Sequence, residues 1–440
     1  MQRFLRILAG GTLTLALTAP VWAADLAAQF DDTGTFWTLT PDTFIAQTEA
    51  GAFKWNTPGP DGEAHYPGYT NSPKLSWGEF RIYDANVTFA KGLAKEARLS
   101  LFNRGDAGSL RQKDFEALVK QIDDATQQRL GVKPLPMPRQ SVTRGSTIMA
   151  KRWIKPPYRM TLQWSMMKNE NGFRAEFIQL EIESAVTAGG KNTPAVALKT
   201  GSNSKTDDLK KSLQKTEDGT VWIANMPMVD QGMKGYCAVA TAERVLRYYG
   251  SEVSEHLLAG IANSSATAGT DPNQMLGALK QSGGKLGLGV RILADFNVQG
   301  FRRMVDLYNR AAKREKKNTL TLGNPIDVGE IYAQMDPEIL LDVRSKGMKA
   351  DFQKFQRDIT QKINAGIPLL WGVQLGVYAE ADLPQKGGGH LRLIIGYNQK
   401  KGELVYSDSW GAEHAKKTMP MAQAWAMTTM LSILEARKGL

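Results

Sequence analysis

The chain has few of the residues that cross-link small exported folds or bind metal ions. Its 440 residues contain a single cysteine, Cys237, and four histidines. One cysteine cannot form an internal disulfide, so packed cores must stabilise the fold, and the thiol is a liability in an oxidising compartment unless it is buried or used. The histidines are scattered and show no ligand spacing of the zinc type. We therefore expect no metal ion and no other cofactor.

Long apolar runs are also scarce, and the clearest one lies at the start of the chain. The stretch MQRFLRILAGGTLTLALTAPVWA (residues 1–23) joins two arginines, a run rich in Leu, Ala and Gly, and small residues at Val21 and Ala23. This pattern predicts a secretory signal peptide that is cleaved after Ala23. We expect a periplasmic or secreted protein with no membrane span after cleavage.

Acidic residues are fewer than basic ones, 44 against 55, and the formal net charge is +11. The lysines and arginines are scattered, and the densest run, residues 313–317, is typical of a solvated helix end. We interpret the charge as a generic cationic surface and expect no nucleic-acid partner. The sequence predicts no particular oligomeric state.

A chain of this length has room for two or three domains. Residues 24–185 combine the alternation of half-buried antiparallel strands with one amphipathic segment, residues 113–131, and predict an α+β domain of unknown role. Its histidine, His65, lies in a Pro/Gly-rich stretch, and we interpret it as an ordinary surface residue. Residues 186–218 are polar and predict a linker. Residues 219–440 form the second predicted domain.

The one cysteine opens a segment with helical spacing. The apolar residues on its face are Val239, Ala242, Leu246 and Tyr249. A thiol in the first turn of a helix lies near the positive end of the helix dipole and near free backbone N–H groups, and both lower its pKa. The amide of Gln231, six residues upstream, and the backbone N–H of Cys237 can form two donors to an oxyanion. The alternatives are a buried structural thiol and a surface turn glutamine.

A catalytic thiolate needs a group that returns a proton to the leaving amine, and histidine is the natural choice. His65 lies in the other domain, and His256 lies in the next helical segment, where a structural histidine is expected. His390 opens a buried strand, HLRLIIGYN, and is the predicted base. His414, beyond the end of the returning strand, is the alternative base.

The hairpin that follows His390 predicts an orienting carboxylate. With the turn centred on Lys400, Arg392 faces Asp408, and Asp408 is the diagonal neighbour of His390 on the same face of the sheet. Asn398 has the same parity but lies eight residues along the strand, which is too far. A slip of one residue in the register would point the two side chains to opposite faces.

Three stretches of the chain resemble a known family. They are PMVDQGMKGYCAVATAERVLRYYG (residues 227–250), GGGHLRLIIGYN (387–398) and YSDSWG (406–411). They resemble the papain-like cysteine peptidases of the bacteriocin-processing, double-glycine type, and among these the stand-alone exported members. The resemblance covers about residues 221–435 and does not extend to the N-terminal half.

The resemblance implies a papain-like α+β fold, in which a helix with the cysteine packs on an antiparallel sheet with the histidine and the aspartate. It implies Cys237 as nucleophile, His390 as general acid and base, Asp408 as its orienter and Gln231 as oxyanion donor, acting on a peptide or protein substrate. Ala238 stands where papain has a tryptophan. Residues 290–350 exceed a minimal peptidase domain, and we expect them to form the substrate cleft or a lid.

Two other functions are compatible with the same residues. A transglutaminase-like acyl transferase or amidase uses the same Cys–His–Asp chemistry, with an amine competing against water. A non-catalytic peptide-binding protein could keep the peptidase fold. The presence of the whole Gln–Cys–His–Asp set favours an enzyme, because a binding protein has no chemical reason to keep all four.

Overall fold

The computed structural model describes most of the chain beyond the predicted signal peptide. The described ranges are 24–48, 52–68, 73–143, 146–169, 172–185, 206–232, 235–251, 255–262, 273–277, 279–280, 288–295 and 297–436. The predicted signal peptide and residues 186–205 of the predicted linker lie outside them. Among the described helices, none has the length and apolarity needed to cross a membrane.

The first part of the chain is built on a nine-stranded sheet in the order β2-β3-β6-β7-β12-β11-β10-β8, with β9 paired to β10, and β1, β4 and β5 form a small second sheet. Its strands are β1 (Ala24–Asp25), β2 (Lys54–Thr57), β3 (Glu63–Tyr66), β4 (Leu75–Trp77), β5 (Phe80–Arg81), β6 (Asp84–Ala90), β7 (Leu93–Asn103), β8 (Leu135–Pro136), β9 (Gln140–Thr143), β10 (Ser146–Lys155), β11 (Tyr158–Asn169) and β12 (Gly172–Ser184). Its helices are α1 (Pro41–Gln47), α2 (Arg104–Ala107) and α3 (Gln112–Leu130), with 3-10 turns at Leu26–Gln29 and Thr35–Thr38.

Helix α3 is the predicted amphipathic segment of residues 113–131, and its prediction is confirmed. Phe115, Ile122 and Leu130 are buried on one face of α3, and Gly131 ends the helix with a φ of 67°. This apolar face packs against one side of the large sheet, in a core shared with aromatic side chains such as Trp153. The first domain therefore has the predicted α+β composition.

The second part of the chain is built on a sheet whose described strands all pair antiparallel, in the order β13-β14-β17-β16-β20-β15, from which β18 and β19 branch beside β17. Its strands are β13 (Leu213–Lys215), β14 (Thr220–Ile223), β15 (Leu288–Asp295), β16 (Leu369–Leu375), β17 (Gly388–Asn398), β18 (Glu403–Ser407), β19 (Lys417–Pro420) and β20 (Thr428–Ala436). Its helices are α4 (Thr206–Lys211), α5 (Cys237–Tyr248), α6 (Glu255–Ile261), α7 (Val298–Arg314), α8 (Val328–Ala333), α9 (Pro337–Asp342), α10 (Lys349–Asn364) and α11 (Met421–Met427), with a π-helical turn at Val343–Gly347 and a 3-10 turn at Ala412–His414.

The C-terminal part of the predicted linker belongs to this sheet. Residues 206–215 form α4 and β13, and β13 pairs with β14 from Leu213 to Lys215. The segment is polar because β13 lies at the edge of the sheet, where its side chains are exposed or half-buried. Polar composition alone does not separate such an edge strand from a linker.

Helices cover both faces of the sheet. Helix α5 packs on the face that carries Leu391 and Leu393 of β17. Helices from α7 to α11 pack on the face that carries Trp371 and Ile394. Most of residues 290–350 lie in these helices, which contribute fully buried side chains to the core. The described part of this stretch is therefore packed against the sheet, which is not the arrangement of a free flap.

Candidate active site

Helix α5 begins at the cysteine itself. The turn before it places Gly232 at a φ of 65° and is held by a hydrogen bond from its backbone N–H to Asp230 Oδ1 (2.9 Å). Tyr236 precedes the first helical residue and makes no side-chain cap, so the first-turn N–H groups are not occupied by it. Cys237 itself is half-buried.

The surroundings of Cys237 favour the thiolate. Burial alone would raise the pKa of the thiol, but a hydrogen bond and the charge of His390, with backbone hydrogen bonds from Leu391 and Ala238, lower the pKa below its ordinary value. The thiol therefore lies where α5 meets the start of β17. A lowered pKa at a partly accessible position is typical of a nucleophilic cysteine.

The predicted base is buried beside the thiol. His390 Nε2 lies 2.6 Å from Asp408 Oδ1, and both side chains are fully buried. The other ring nitrogen, Nδ1, makes no hydrogen bond of standard geometry and is the nitrogen left for the thiol. Burial opposes a charge on the ring, yet Asp408 and Cys237 together raise the pKa of His390 to about 9. The lowered pKa of Cys237 and the raised pKa of His390 favour a thiolate–imidazolium pair.

An indole covers the histidine. Trp410 stacks on His390 with ring centroids 4.4 Å apart and an angle of 3° between the planes. The apolar surface excludes water from the bond between His390 and Asp408, and it strengthens that bond by lowering the local dielectric constant. It also fixes the plane of the imidazole. Trp410 thus supports the predicted base, and the register centred on Lys400 predicts this residue opposite His390.

Asp408 is held from several directions. Its Oδ1 also accepts a hydrogen bond from the Ser409 backbone N–H (3.0 Å), and its own N–H donates to the His414 carbonyl (2.9 Å). Its Oδ2 lies 2.7 Å from Arg392 Nε, a close ion pair without the alignment of a hydrogen bond. Burial alone would raise the pKa of Asp408, but the charges of His390 and Arg392 hold it well below its usual range.

The register that brings Asp408 to His390 depends on a β-bulge. Near the turn, Asn398 pairs with Glu403, but beyond an irregularity between Ile394 and Gly396 the partner of Leu393 is Ser407. The pairing of Leu393 with Ser407 has the predicted register. Extended by one residue, this register places residue 408 opposite residue 392. Without the extra residue, Asp408 would lie opposite Leu393 and would point to the other face.

A second carboxylate neutralises the arginine behind Asp408. Arg392 is fully buried, and its Nη1 donates to Glu380 Oε2 (2.8 Å). Tyr406 donates its hydroxyl to the same oxygen (2.7 Å), and its ring lies under the guanidinium at 4.9 Å. Sequence reasoning placed Arg392 opposite Asp408 but missed Glu380, because this residue lies in a loop and no strand pairing fixes its position.

A buried arginine on α5 connects three segments of the candidate site. Arg244 donates to the Pro227 carbonyl (2.7 Å), to the Asp408 carbonyl (2.9 Å) and to the hydroxyl of Ser407. It joins the helix of Cys237, the strand end of Asp408 and the segment that leads to Gln231. Burial lowers the pKa of Arg244 to about 10. Its position was missed, since an arginine in a helix is usually a surface residue.

Gln231 lies on a loop that is tied to the Asp408 segment. Its backbone N–H donates to the Ser409 carbonyl (2.9 Å), and its side chain is buried. The side-chain Oε1 has no hydrogen-bond partner in the described part of the chain. This oxygen is an acceptor, whereas the predicted role of Gln231 requires its amide N–H groups, which are donors.

The remaining histidines do not replace His390. His414, the alternative base, is buried with its ring edge-on to Trp410, 5.8 Å between centroids, and the histidine that acts on the Cys237 thiol is His390. His256 packs against Phe177 of the first domain. The interpretation of His65 as a surface residue was wrong: it is buried in β3, which is too short to show a period in the sequence.

One carboxylate cluster in the described residues has ligand atoms close enough for a metal ion, and it lies on the sheet of the first domain. It consists of Glu96, Glu181 and Glu183, whose oxygen atoms lie within 4.8 Å of one another. Arg98 pairs with Glu96, and Arg159 pairs with Glu183 at 2.6 Å. These arginines pair with two of the three carboxylates, which fits an ion-pair network better than a metal centre.

A helix that begins at a cysteine and packs on an antiparallel sheet with a histidine and an aspartate defines the papain-like class of cysteine peptidases. Residues 223–433 match the family described as Peptidase_C39 like family, and this part of the chain belongs to that family. Membership implies a cysteine peptidase, a hydrolase whose substrate is a peptide or a protein. A search of curated proteins with the chain gave no match.

Proposed function

We propose that the chain is an exported cysteine peptidase that hydrolyses peptide bonds with Cys237 as nucleophile and His390 as general acid and base. Asp408 orients the imidazole, and Gln231 donates to the oxyanion. Export is proposed from the signal-like residues 1–23, and a mature N-terminus at Ala24 in protein recovered from the periplasm or medium is the result we expect. The family match supports the peptidase activity.

The proposal is supported above all by the buried pair of His390 and Asp408 beside the thiol. The 2.6 Å contact uses Nε2 of the ring, so Nδ1 is the atom that can exchange a proton with the sulfur. The lowered pKa of Cys237 and the raised pKa of His390 favour proton transfer before substrate binds. A thiolate at neutral pH needs no further base for attack.

In the first half of the reaction, the Cys237 thiolate attacks the carbonyl carbon of the scissile bond. The carbonyl oxygen becomes an oxyanion, which accepts hydrogen bonds from the Cys237 backbone N–H and the Gln231 amide. The C–N bond then breaks, and the leaving nitrogen takes the proton from His390 Nδ1. A thioester on Cys237, a free amine and a neutral imidazole remain.

In the second half, a water molecule attacks the thioester carbon while His390 Nδ1 accepts its proton. The tetrahedral intermediate collapses, the C–S bond breaks, and the new carboxylic acid leaves with the thiolate and the imidazolium restored. Asp408 keeps the ring in one orientation and stabilises its cation through both steps. Arg392 and Glu380 hold the carboxylate of Asp408 in place.

The proposal is tested by alkylation and by proteolysis with matched variants. Iodoacetamide should label Cys237 far faster than it labels free cysteine at pH 6, because the thiolate is already formed. The His390→Ala variant should lose this advantage, whereas His414→Gln, a change of another buried histidine, should keep it. A peptide-library digest should show cleavage by the wild type and none by Cys237→Ala.

Two outcomes contradict the proposal in different ways. Labelling only after denaturation would mean a buried structural thiol and would favour the non-catalytic binding protein. Cleavage that yields amine adducts in preference to acids, when an amine is added to the digest, would indicate an acyl transferase. Acid products in the presence of amine support hydrolysis.

A further inference from the structure

The first domain packs against the site segments of the second. Arg247 at the end of α5 forms an ion pair with Glu63 of β3 (3.1 Å). Arg174 of β12 donates to the Gly260 carbonyl of α6 (2.9 Å). Gly105 of α2 lies against the ring of Tyr236, the residue before the candidate nucleophile. The interface therefore extends along α5 to its first turn.

A histidine of the first domain reaches the loop of Gln231. His65 Nε2 lies 2.9 Å from Asp84 Oδ2, and His65 Nδ1 lies 4.0 Å from Asp230 Oδ2. All three side chains are less than a tenth exposed. The imidazole thus lies between a carboxylate of its own domain and one that precedes Gln231 in the chain.

Asp230 shapes the turn that carries Gln231. Its Oδ1 accepts from the Gly232 backbone N–H (2.9 Å), which closes the turn around residue 231. A carboxylate buried at 4% exposure needs compensating charge or hydrogen bonds. His65 Nδ1 lies 4.0 Å from Oδ2, beyond hydrogen-bond distance, so the protonated imidazole compensates this oxygen as an ion pair while the turn holds Oδ1.

We propose that His65 is a positioning residue that the first domain supplies to the oxyanion loop, defined as residues 230–232. This inference rests on the proposed function of Gln231. His65 is held by Asp84, fixes Asp230, and through Asp230 fixes the backbone from which the Gln231 amide reaches the oxyanion. The first domain is then a part of the active site and not a separate module.

The close packing around His65 is suited to a residue that holds the oxyanion loop in place. The interface here encloses a cavity of only about 30 Å³, lined by polar side chains of both domains, among them Asn56, Asn86, Glu243 and His256. A cavity of this size holds about one or two water molecules. Small displacements of the loop are therefore opposed by close packing and by buried polar contacts.

The test uses full-length protein and the variants His65→Ala and His65→Asn, of which the second keeps a polar side chain in case the first does not fold. Hydrolysis of fluorescein-labelled casein gives kcat and KM, and iodoacetamide at pH 6 reports the thiolate. We expect kcat to fall about 10- to 100-fold, a part of the effect of removing an oxyanion donor. The alkylation rate should change by less than about twofold, because alkylation forms no oxyanion, and KM should change less than kcat.

The control is Glu63→Gln, which breaks another buried contact between the same domains without touching the oxyanion loop. It should lower stability and leave kcat unchanged. The double variant His65→Ala/Gln231→Ala should lose no more activity than Gln231→Ala alone, because His65 acts through Gln231. This non-additivity would not follow from general loosening of the interface.

Three results overturn the inference alone: a kcat for the His65 variants equal to that of Glu63→Gln, a parallel fall of kcat and alkylation rate, or additive losses in the double variant. A wild type with neither Cys237-dependent hydrolysis nor enhanced alkylation would refute the proposed function, and the inference with it.

Discussion

At the scale of single residues, the candidate site is an electrostatic balance around one imidazole. His390 interacts with the Cys237 thiol on one side and with Asp408 on the other. Asp408 in turn faces Arg392, whose charge weakens the pull of the carboxylate on the ring, and Glu380 partly neutralises that arginine. The basicity of His390 therefore depends on a series of alternating charges, in which Arg392 and Glu380 follow His390 and Asp408.

This balance predicts the pH dependence of catalysis. The thiolate is lost as pH falls through the lowered pKa of Cys237, and the imidazolium is lost as pH rises through the pKa of His390, about 9. A plot of kcat/KM against pH should therefore be bell-shaped. Asp408→Asn removes the negative charge that raises the pKa of His390, so its alkaline limb should lie at lower pH.

The control for this shift is His414→Gln. His414 is buried near Asp408, burial and Lys417 lower its pKa, and its ring meets Trp410 edge-on. Its removal should leave the alkaline limb near that of the wild type. An unchanged limb in Asp408→Asn, with activity retained, would mean that Asp408 does not set the basicity of the base.

Single residues were predictable where a strand or helix period fixed them. Cys237 at the start of a helix and Arg392 opposite Asp408 followed from spacing, and the structure has both. His65 and Glu380 were not predictable, because their positions depend on a four-residue strand and on a loop. The partners of such residues lie far away in sequence, and no local pattern encodes them.

At the scale of elements, the site depends on how α5, the β17–β18 hairpin and the oxyanion loop are joined. The hairpin was predicted with its turn centred on Lys400, and this register holds at Leu393–Ser407. The turn itself has a register that differs by one residue, since Asn398 pairs with Glu403. The bulge restores the predicted pairing at the site, and nothing in the sequence alone marked the bulge.

Arg244 is the connection between these elements, and its replacement should show this. Lysine keeps the charge, but its single ammonium nitrogen cannot take the places of the three guanidinium nitrogens that donate to the carbonyls of Pro227 and Asp408 and to Ser407. We expect Arg244→Lys to lower the free energy of unfolding by about 1–3 kcal/mol, because buried acceptors lose their donors. Denaturant unfolding measures this change, and the alkylation rate of Cys237 should fall with it.

Arg303→Lys on α7 is the matched control, since Arg303 is exposed. Its unfolding free energy should stay within about 0.5 kcal/mol of the wild type. Equal stability of the two variants would show that Arg244 is not the connection that its hydrogen bonds suggest.

At the scale of the whole molecule, the two domains form a continuous structure around α5, the helix that begins at Cys237. Sequence patterns predicted an α+β composition for both parts and a papain-like second domain, and the fold has these features. They did not predict that the domains bury polar residues against each other. An interface of this kind has no periodic signal, because its residues come from strand ends, short turns and both ends of α5.

The two domains are in close contact at Gly105, and this position gives a prediction for the molecule as a whole. A Cβ atom at residue 105 would overlap the ring and hydroxyl of Tyr236, which is buried and immediately precedes Cys237. Gly105→Ala should therefore push the first domain away from the first turn of α5. We expect unfolding to become easier by about 1–3 kcal/mol, as for other overpacked positions, and kcat to fall because the nucleophile and the oxyanion loop shift together.

Gly277→Ala separates this packing effect from the general effect of adding a methyl group. Gly277 is helical, and a Cβ atom there meets nothing within 4 Å, so alanine should leave stability unchanged or raise it by up to about 1 kcal/mol. Thermal unfolding and casein hydrolysis of both variants make the comparison. If Gly105→Ala matched Gly277→Ala in stability and in kcat, the domains would not be tightly packed at Tyr236, and the first domain would have no part in shaping the site.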